Sequence, residues 1–180
     1  MKPQHNNEQW YALQIRPHFE KIVARHLQHK GYSEYLPLYK PRRRWSDRVK
    51  EKELPLFSGY TFCKFDVQQR LRILVVPGVL SIVGIGRTPT PIGDKEIASI
   101  ERIVQSGLQY EPWPFAMAGQ PVAVATGGLA GLEGIGAEVK ADFRLVVSLP
   151  LLQRSVAVEI ERDCVQPIPL AQAAAGAVTR

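Results

Sequence analysis

Leu54-Pro55-Leu56-Phe57-Ser58-Gly59-Tyr60-Thr61-Phe62-Cys63-Lys64-Phe65 is the stretch on which the reading of this chain turns. From Tyr60 to Phe65, aromatic, β-branched and small apolar residues follow one another, the composition of a strand with side chains on alternate faces. Tyr60 and Phe62 then share one face, and Thr61, Cys63 and Phe65 share the other. Pro55 and the Ser58-Gly59 pair punctuate the entry, so Phe57 falls on a bend just before the strand. Large apolar side chains on both faces require cover on both. The chain's own helices are expected to cover one face. Tyr60 and Phe62 are then expected to lie open to solvent on a docking face for a second protein; the other reading of the same alternation makes them ordinary core.

Working outward, Trp10–Ile15 reads as a strand that Pro17 ends. Phe19, Ile22, Val23 and Leu27 line one side of an amphipathic helix that Lys30-Gly31 closes. Glu34–Tyr39 looks like a second strand, interrupted at Pro37. Val67–Val75 suits a short helix with Leu71, Leu74 and Val75 facing inward, stopped by Pro77-Gly78. Val79–Ile85 is a further strand. Asp94 is the expected N-cap of a helix running to Ser106, with Ile97, Ile100, Ile103 and Val104 apolar and Gly107 at its end. This order predicts an α+β fold, an antiparallel sheet flanked by helices, over residues 1–107.

Composition then changes. Residues 108–118, with Pro112-Trp113-Pro114 and no apolar period, read as a linker. Five short β-rich runs follow at Pro121–Ala125, Ile135–Val139, Arg144–Leu149, Ser155–Glu159 and Cys164–Gln166. Spaced by glycines and polar turns, they predict a small SH3-like barrel over residues 119–168. The Ala-rich stretch 169–180 is expected to be a frayed tail.

The formal charge of +6 is unevenly placed: residues 1–53 hold 12 Lys/Arg against 6 Asp/Glu, and residues 54–180 hold 11 against 11. Such asymmetry points to an acidic partner for the first third, nucleic acid foremost. Lys40–Lys52 carries seven basic residues against two acidic ones and places Trp45 beside Arg42, Arg43 and Arg44. It reads as a polar hairpin able to stack on a base, or as a solvated loop anchored by its tryptophan. No run reaches the roughly 20 apolar residues of a membrane span, and Met1–Gln9 lacks a signal-peptide core. Cys63 and Cys164 have no Cys or His company, as expected of a reduced, cytoplasmic chain.

Catalytic chemistry is not legible. The glycine-rich run Gly127–Gly136 lacks the Gly-Lys-Ser/Thr ending of a nucleotide loop and the βαβ unit of a dinucleotide fold. His26 and His29 sit one turn apart without a third ligand, so no metal or cofactor is expected. No Ser/His/Asp arrangement or paired acids appear, so the chain is expected not to be an enzyme.

Several motifs in series resemble one family. Trp10-Tyr11-Ala12-Leu13 before a helix, Pro55–Tyr60, Pro77-Gly78-Val79, Val83-Gly84, and Pro91-Ile92 before the Asp94 helix are similar to the N-terminal domain of NusG transcription factors. Gly119–Val124 and the turn at Gly127–Gly136 look like their C-terminal KOW domain. The Pro-Gly-Val, Val-Gly, Pro-Ile block is most similar to specialised paralogues of the UpxY and RfaH kind, which act on chosen long operons. The resemblance implies a NusG-type α/β sandwich plus a KOW β-barrel, in a monomeric elongation and antitermination factor that bridges the RNA polymerase cleft and suppresses pausing or termination.

By position it assigns Phe57, Tyr60, Phe62, Ile85, Ile97 and Ile100 to the clamp helices of the largest polymerase subunit. Arg16 and His26 are assigned to non-template DNA, with Arg42, Arg43, Arg44 and Arg48 added on charge. Leu129 and Leu132 mark the KOW loop that meets Rho or a ribosomal protein in the family. Departures are Ser58 where the family has proline, Gly128-Leu129 in place of Pro-Phe, and Gln69-Arg70-Leu71 where one paralogue has His-Thr-Thr. Valine content with Pro150 and Pro167 favours an already formed barrel over a stored helical hairpin. The alternative is a stand-alone RNA- or ribosome-binding protein using the SH3-like barrel, although residues 118–180 hold only 5 Lys/Arg against 6 Asp/Glu.

Overall fold

The computed structural model describes residues 7–41, 52–116, 118–139 and 142–169. The chain forms two compact units, residues 1–98 and 99–180.

In the first unit the elements are β1 (Gln9–Ile15), α1 (Glu20–His29), β2 (Ser33–Tyr35), β3 (Leu38–Tyr39), β4 (Leu54–Pro55), β5 (Tyr60–Phe65), α2 (Arg70–Leu74), β6 (Val79–Ile82), β7 (Gly84–Ile85) and β8 (Thr88–Pro89). Helix α3 (Asp94–Gln105) begins there and runs across the unit boundary. The main sheet is antiparallel in the order β2-β5-β1-β6, with β3–β4 and β7–β8 as two-stranded ribbons. The two strands read across Pro37 and through Val83 are thus each divided in two. Pro37 lacks the N–H a continuous strand needs. At Gly84 an added Cβ would meet the Thr88 carbonyl oxygen at 2.0 Å, so the chain turns there with no room for a side chain.

The expected alternation of β5 is seen. Cys63 lies opposite Tyr11, and Thr61 opposite Leu13. On that face Tyr11, Leu13, Ile15, Cys63 and Phe65 pack with Val23 and Leu27 of α1, Ile73 of α2 and Val76. The face expected to be covered by helices is covered by them.

Helix α1 ends as its sequence demands. Gly31 adopts φ +82°, its N–H donates to Gln28 O at 2.9 Å, and Tyr32 N–H donates to Leu27 O at 3.1 Å. This is the paired 5→2 and 6→1 closure that a left-handed glycine permits.

Two helix expectations are corrected. In α2, Ile73 and the following Val76 are buried, whereas Leu71 and Val75 are 71% and 69% exposed and Leu74 is also exposed. A 3-10 turn at Val67–Gln69, capped by the Asp66 carboxylate accepting from Gln68 N–H, delays the α-helix and rotates its inward face by a few positions. At α3, Gly93 is the N-cap rather than Asp94. Its carbonyl accepts the first helical N–H, from Ile97, while the Glu96 carboxylate reaches back to Gly93 N–H at 2.9 Å. Asp94 sits in the first turn, where it meets Lys64 at 3.3 Å.

The second unit contains β9 (Tyr110–Trp113), β10 (Gln120–Val124), β11 (Glu133–Val139), β12 (Asp142–Leu149), β13 (Arg154–Glu159) and β14 (Val165–Pro167). All five expected strands are present, within two residues of their expected ends. They form one antiparallel sheet in the order β14-β10-β11-β12-β13-β9. From β10 to β14 the described residues are strands, turns and two 3-10 turns, so this unit is β-rich as expected. Two expectations change. Among the described residues β14 and β9 are not paired to each other, so a closed barrel is not formed. Tyr110–Trp113, read as linker, is a sixth strand, a position that two prolines tolerate at a sheet edge.

Two outcomes follow from this packing. Ile73→Ala should lower the unfolding free energy by about 2–5 kcal/mol, while Leu71→Ser should change it by less than about 0.5 kcal/mol, read from urea denaturation; equal effects would contradict the rotated helix. Burial, with the Glu34 and Glu8 charges, pushes the Cys63 thiol from an ordinary 9.0 up to about 12. Its contribution to stability is therefore complete below pH 9 and is lost as pH climbs toward 12. At pH 8 a disulfide reagent should titrate the half-buried Cys164 in the native chain and reach Cys63 only on unfolding.

Candidate functional site

The apolar residues assigned to a partner gather at the mouth of β5, where one glycine sets the geometry. Gly59 has φ +81°, a conformation that residues with a Cβ adopt only under strain. Its N–H donates to the Glu20 carboxylate at 2.9 Å, and its carbonyl accepts Ile15 N–H at 2.8 Å. Glu20 is the first residue of α1 and is buried. A carboxylate hidden from water needs such donors. The first turn of α1, the end of β1 and the entry to β5 are thereby tied to one peptide.

Chain direction after this turn places the aromatic residues. Phe57 lies before it and is buried, its ring meeting Phe62 edge-on with centroids 5.8 Å apart. Phe62 is fully buried and stacks on Tyr35 at 6.3 Å. Such ring pairs add about 0.5–1.5 kcal/mol beyond burial. Tyr60, opposite Gln14 in the register, is half-buried. Ile85, at the end of the β7–β8 ribbon, is 74% exposed. Ile97 and Ile100 of α3 are buried.

The expectation of an open apolar face is corrected by these positions. Of the six assigned residues, Ile85 stands in solvent and Tyr60 partly so, whereas Phe57, Phe62, Ile97 and Ile100 are at most 2% exposed. The core reading holds for Phe62 and fails for Tyr60, although both share a strand face. The reason is position: Tyr60 is the first residue of β5, while Phe62 is flanked by β2 on one side and β1 on the other.

Of the residues assigned to nucleic acid, Arg16 and His26 are exposed, and the Arg16 guanidinium lies over the Phe19 ring at 5.6 Å. Arg42, Arg43, Arg44 and Arg48 lie outside the described residues. In the second unit Leu129 and Leu132 are buried, so the turn does not present them as anchors. That turn is closed by Ala130 N–H to Gly127 O at 3.1 Å and Leu132 N–H to Leu129 O at 2.9 Å. Arg102 braces it, donating to the carbonyls of Gly128 and Ala130 at 3.3 and 2.7 Å. Gly127 and Gly131 adopt φ +86° and +80°, which explains the glycine density there. Among the described residues no cluster of three or more His, Cys, Asp or Glu side chains is placed to hold a metal ion.

Glu20 and Arg102 were not singled out from sequence. Their partners are carbonyls and amides some 26 to 39 residues away, which no local pattern announces.

Comparison with known proteins is consistent in both sequence and fold. The family model described as transcription termination factor nusG matches residues 8–101. The transcription termination/antitermination protein NusG of Pseudomonas aeruginosa is 26% identical over 175 residues, covering 89% of this chain and 99% of that protein. Its namesake from Neisseria meningitidis is 29% identical over 177 residues, covering 90% and 99%. Among solved structures, Thermotoga maritima NusG, studied for its domain interaction, aligns with a TM-score of 0.57 at 18% identity, covering 91% of this chain and 98% of that one.

The division between buried and open aromatic residues is measurable. Phe62→Ala should cost about 3–5 kcal/mol of stability, as truncation of a core aromatic does. Ile85→Ala should shift it by less than about 0.5 kcal/mol. Similar losses for both in urea denaturation would contradict the arrangement.

Proposed function

The chain belongs to the NusG family of transcription factors, and on that premise we propose that it binds RNA polymerase across its cleft and suppresses pausing or termination at selected operons. The observation that carries the reading is the family match over residues 8–101, which runs from the start of β1 into α3. Its relatives are named for termination and antitermination, and either outcome needs a protein that biases polymerase between states. Such a factor acts by binding one conformation better than another, not by catalysis. Holding the clamp closed disfavours the paused and terminating states in proportion to that difference in affinity. Identity of 26–29% to housekeeping namesakes accords with a specialised member.

Tyr60 and Ile85 are the side chains available for the clamp helices in the free chain. Phe57 and Phe62 shape the site from beneath, and Ile97 and Ile100 are withdrawn from it. Arg16 and His26 are open to the displaced DNA strand, with the basic segment 42–48 as a further contact. Contacts of this kind make affinity for a scaffold with exposed single strand fall with added salt. The second unit is read as the KOW domain of the family, meeting a ribosomal protein or Rho, with Leu129 and Leu132 supporting its turn rather than touching the partner. No described helix is long and apolar enough to cross a membrane; a cytoplasmic monomer accords with the role.

Binding of the full chain to core RNA polymerase tests the reading. Ile85→Asp should weaken it by at least about tenfold, the loss expected at an interface anchor. Ile22→Asp, at an exposed apolar position on α1, should not. Equal binding by wild type and Ile85→Asp would contradict the assigned surface, and absence of any binding would contradict the function.

A further inference from the structure

Segment Tyr110–Ala116 is bound to the second unit by polar groups and by almost nothing else. Glu159 N–H donates to Gln109 O at 2.8 Å, whereas Ile160 N–H donates to Phe143 O at the end of β12 at 3.1 Å. Strand alternation then directs the N–H groups of Ser155, Ala157 and Glu159 toward β9, and those of Val156 and Val158 toward β12. By the same parity Glu111 and Trp113 bond to β13. Pro112 and Pro114 turn their missing N–H outward, so the outer edge of β9 is poor in donors.

Side chains complete the attachment. Arg144 of β12 forms ion pairs with Glu111 of β9 and, at 3.4 Å, with Glu159 of β13, and its guanidinium lies 5.2 Å from the Trp113 ring centre. Ala116 N–H donates to Ser155 Oγ at 3.2 Å, and Ser148 Oγ donates to Ala116 O at 2.7 Å. Apolar burial is one-sided. Every residue from Ser155 to Val158 is at most 1% exposed, and none from Tyr110 to Trp113 is buried. Elements with few buried apolar groups open before the rest of a fold.

We propose that Tyr110–Ala116 is a detachable edge strand, latched by Arg144, that keeps β13 from pairing with β13 of a second copy of this chain. The sequence Arg154-Ser155-Val156-Ala157-Val158-Glu159 holds alternating β-branched residues with neither proline nor glycine, a template for edge-to-edge pairing once its N–H groups are bare. β9 meets those N–H groups and offers prolines in their place. An antiparallel β13–β13 pair is two-fold symmetric, so the occupant of a bared edge is the same strand of another molecule.

Amide hydrogen exchange and sedimentation of the full chain test this, in wild type and in Arg144→Met. In the variant, Ser155, Ala157 and Glu159 amides should exchange at least about tenfold faster, with Val156 and Val158 unchanged, and a dimer should form as concentration rises. Glu111→Gln, altered only on the strand itself, should show the same pattern more weakly, and serves if Arg144→Met does not fold. Unchanged exchange at the three odd positions, or equal acceleration at Val156 and Val158, overturns the latch. Faster exchange in a chain that stays monomeric overturns the guard.

Discussion

The peptide at Gly59 is the point on which the first unit depends. Its N–H is held by a buried carboxylate from the start of α1, and its carbonyl by the last residue of β1. A hydrogen bond to a charged group contributes about 1.5–3 kcal/mol, and leaving a buried partner unmet costs a comparable amount. Glycine is needed because φ there is positive, and a carboxylate is needed because the donor faces inward. With the turn so held, β5 starts in register with β1, and a one-residue slip would send Phe65 and Cys63 out of the core and Lys64 into it.

That register decides what the molecule offers to others. The same strand face carries Tyr60 at its rim and Phe62 in its middle, so one side chain is available and the next is structural. An apolar patch inferred from alternation alone is therefore larger than the patch that reaches solvent. The factor keeps Tyr60 and Ile85 outside, and holds Phe57 and Phe62 in ring contact below. The second unit shows the same economy in another form, with Leu129 and Leu132 turned inward and a glycine-rich turn braced by Arg102.

Periodicity made much of the fold legible. The alternation of β5, the helical spacing of Phe19 to Leu27, the left-handed stop at Gly31 and five strands after Gln120 all follow from rules that act over a few residues. The failures have a common cause. Leu71 and Val75 were misplaced because a 3-10 turn changes the phase of a short helix. Tyr110–Trp113 was missed because its prolines suit an edge, and its strand partner lies more than 40 residues downstream. Burial of Phe57, Ile97 and Ile100 depends on tertiary neighbours that alternation does not encode. The family was recognisable from the order of loose motifs, while the geometry of its surface was not.

Photo-crosslinking from position 60 is the most direct measurement of this account. With a photoreactive aromatic residue at Tyr60 of the full chain, bound to a reconstituted elongation complex, crosslinks are predicted to the largest polymerase subunit. The same probe at position 71, exposed on α2, provides the comparison. A chain that binds polymerase but crosslinks from position 71 and not from position 60 would contradict the placement of the binding surface at the mouth of β5.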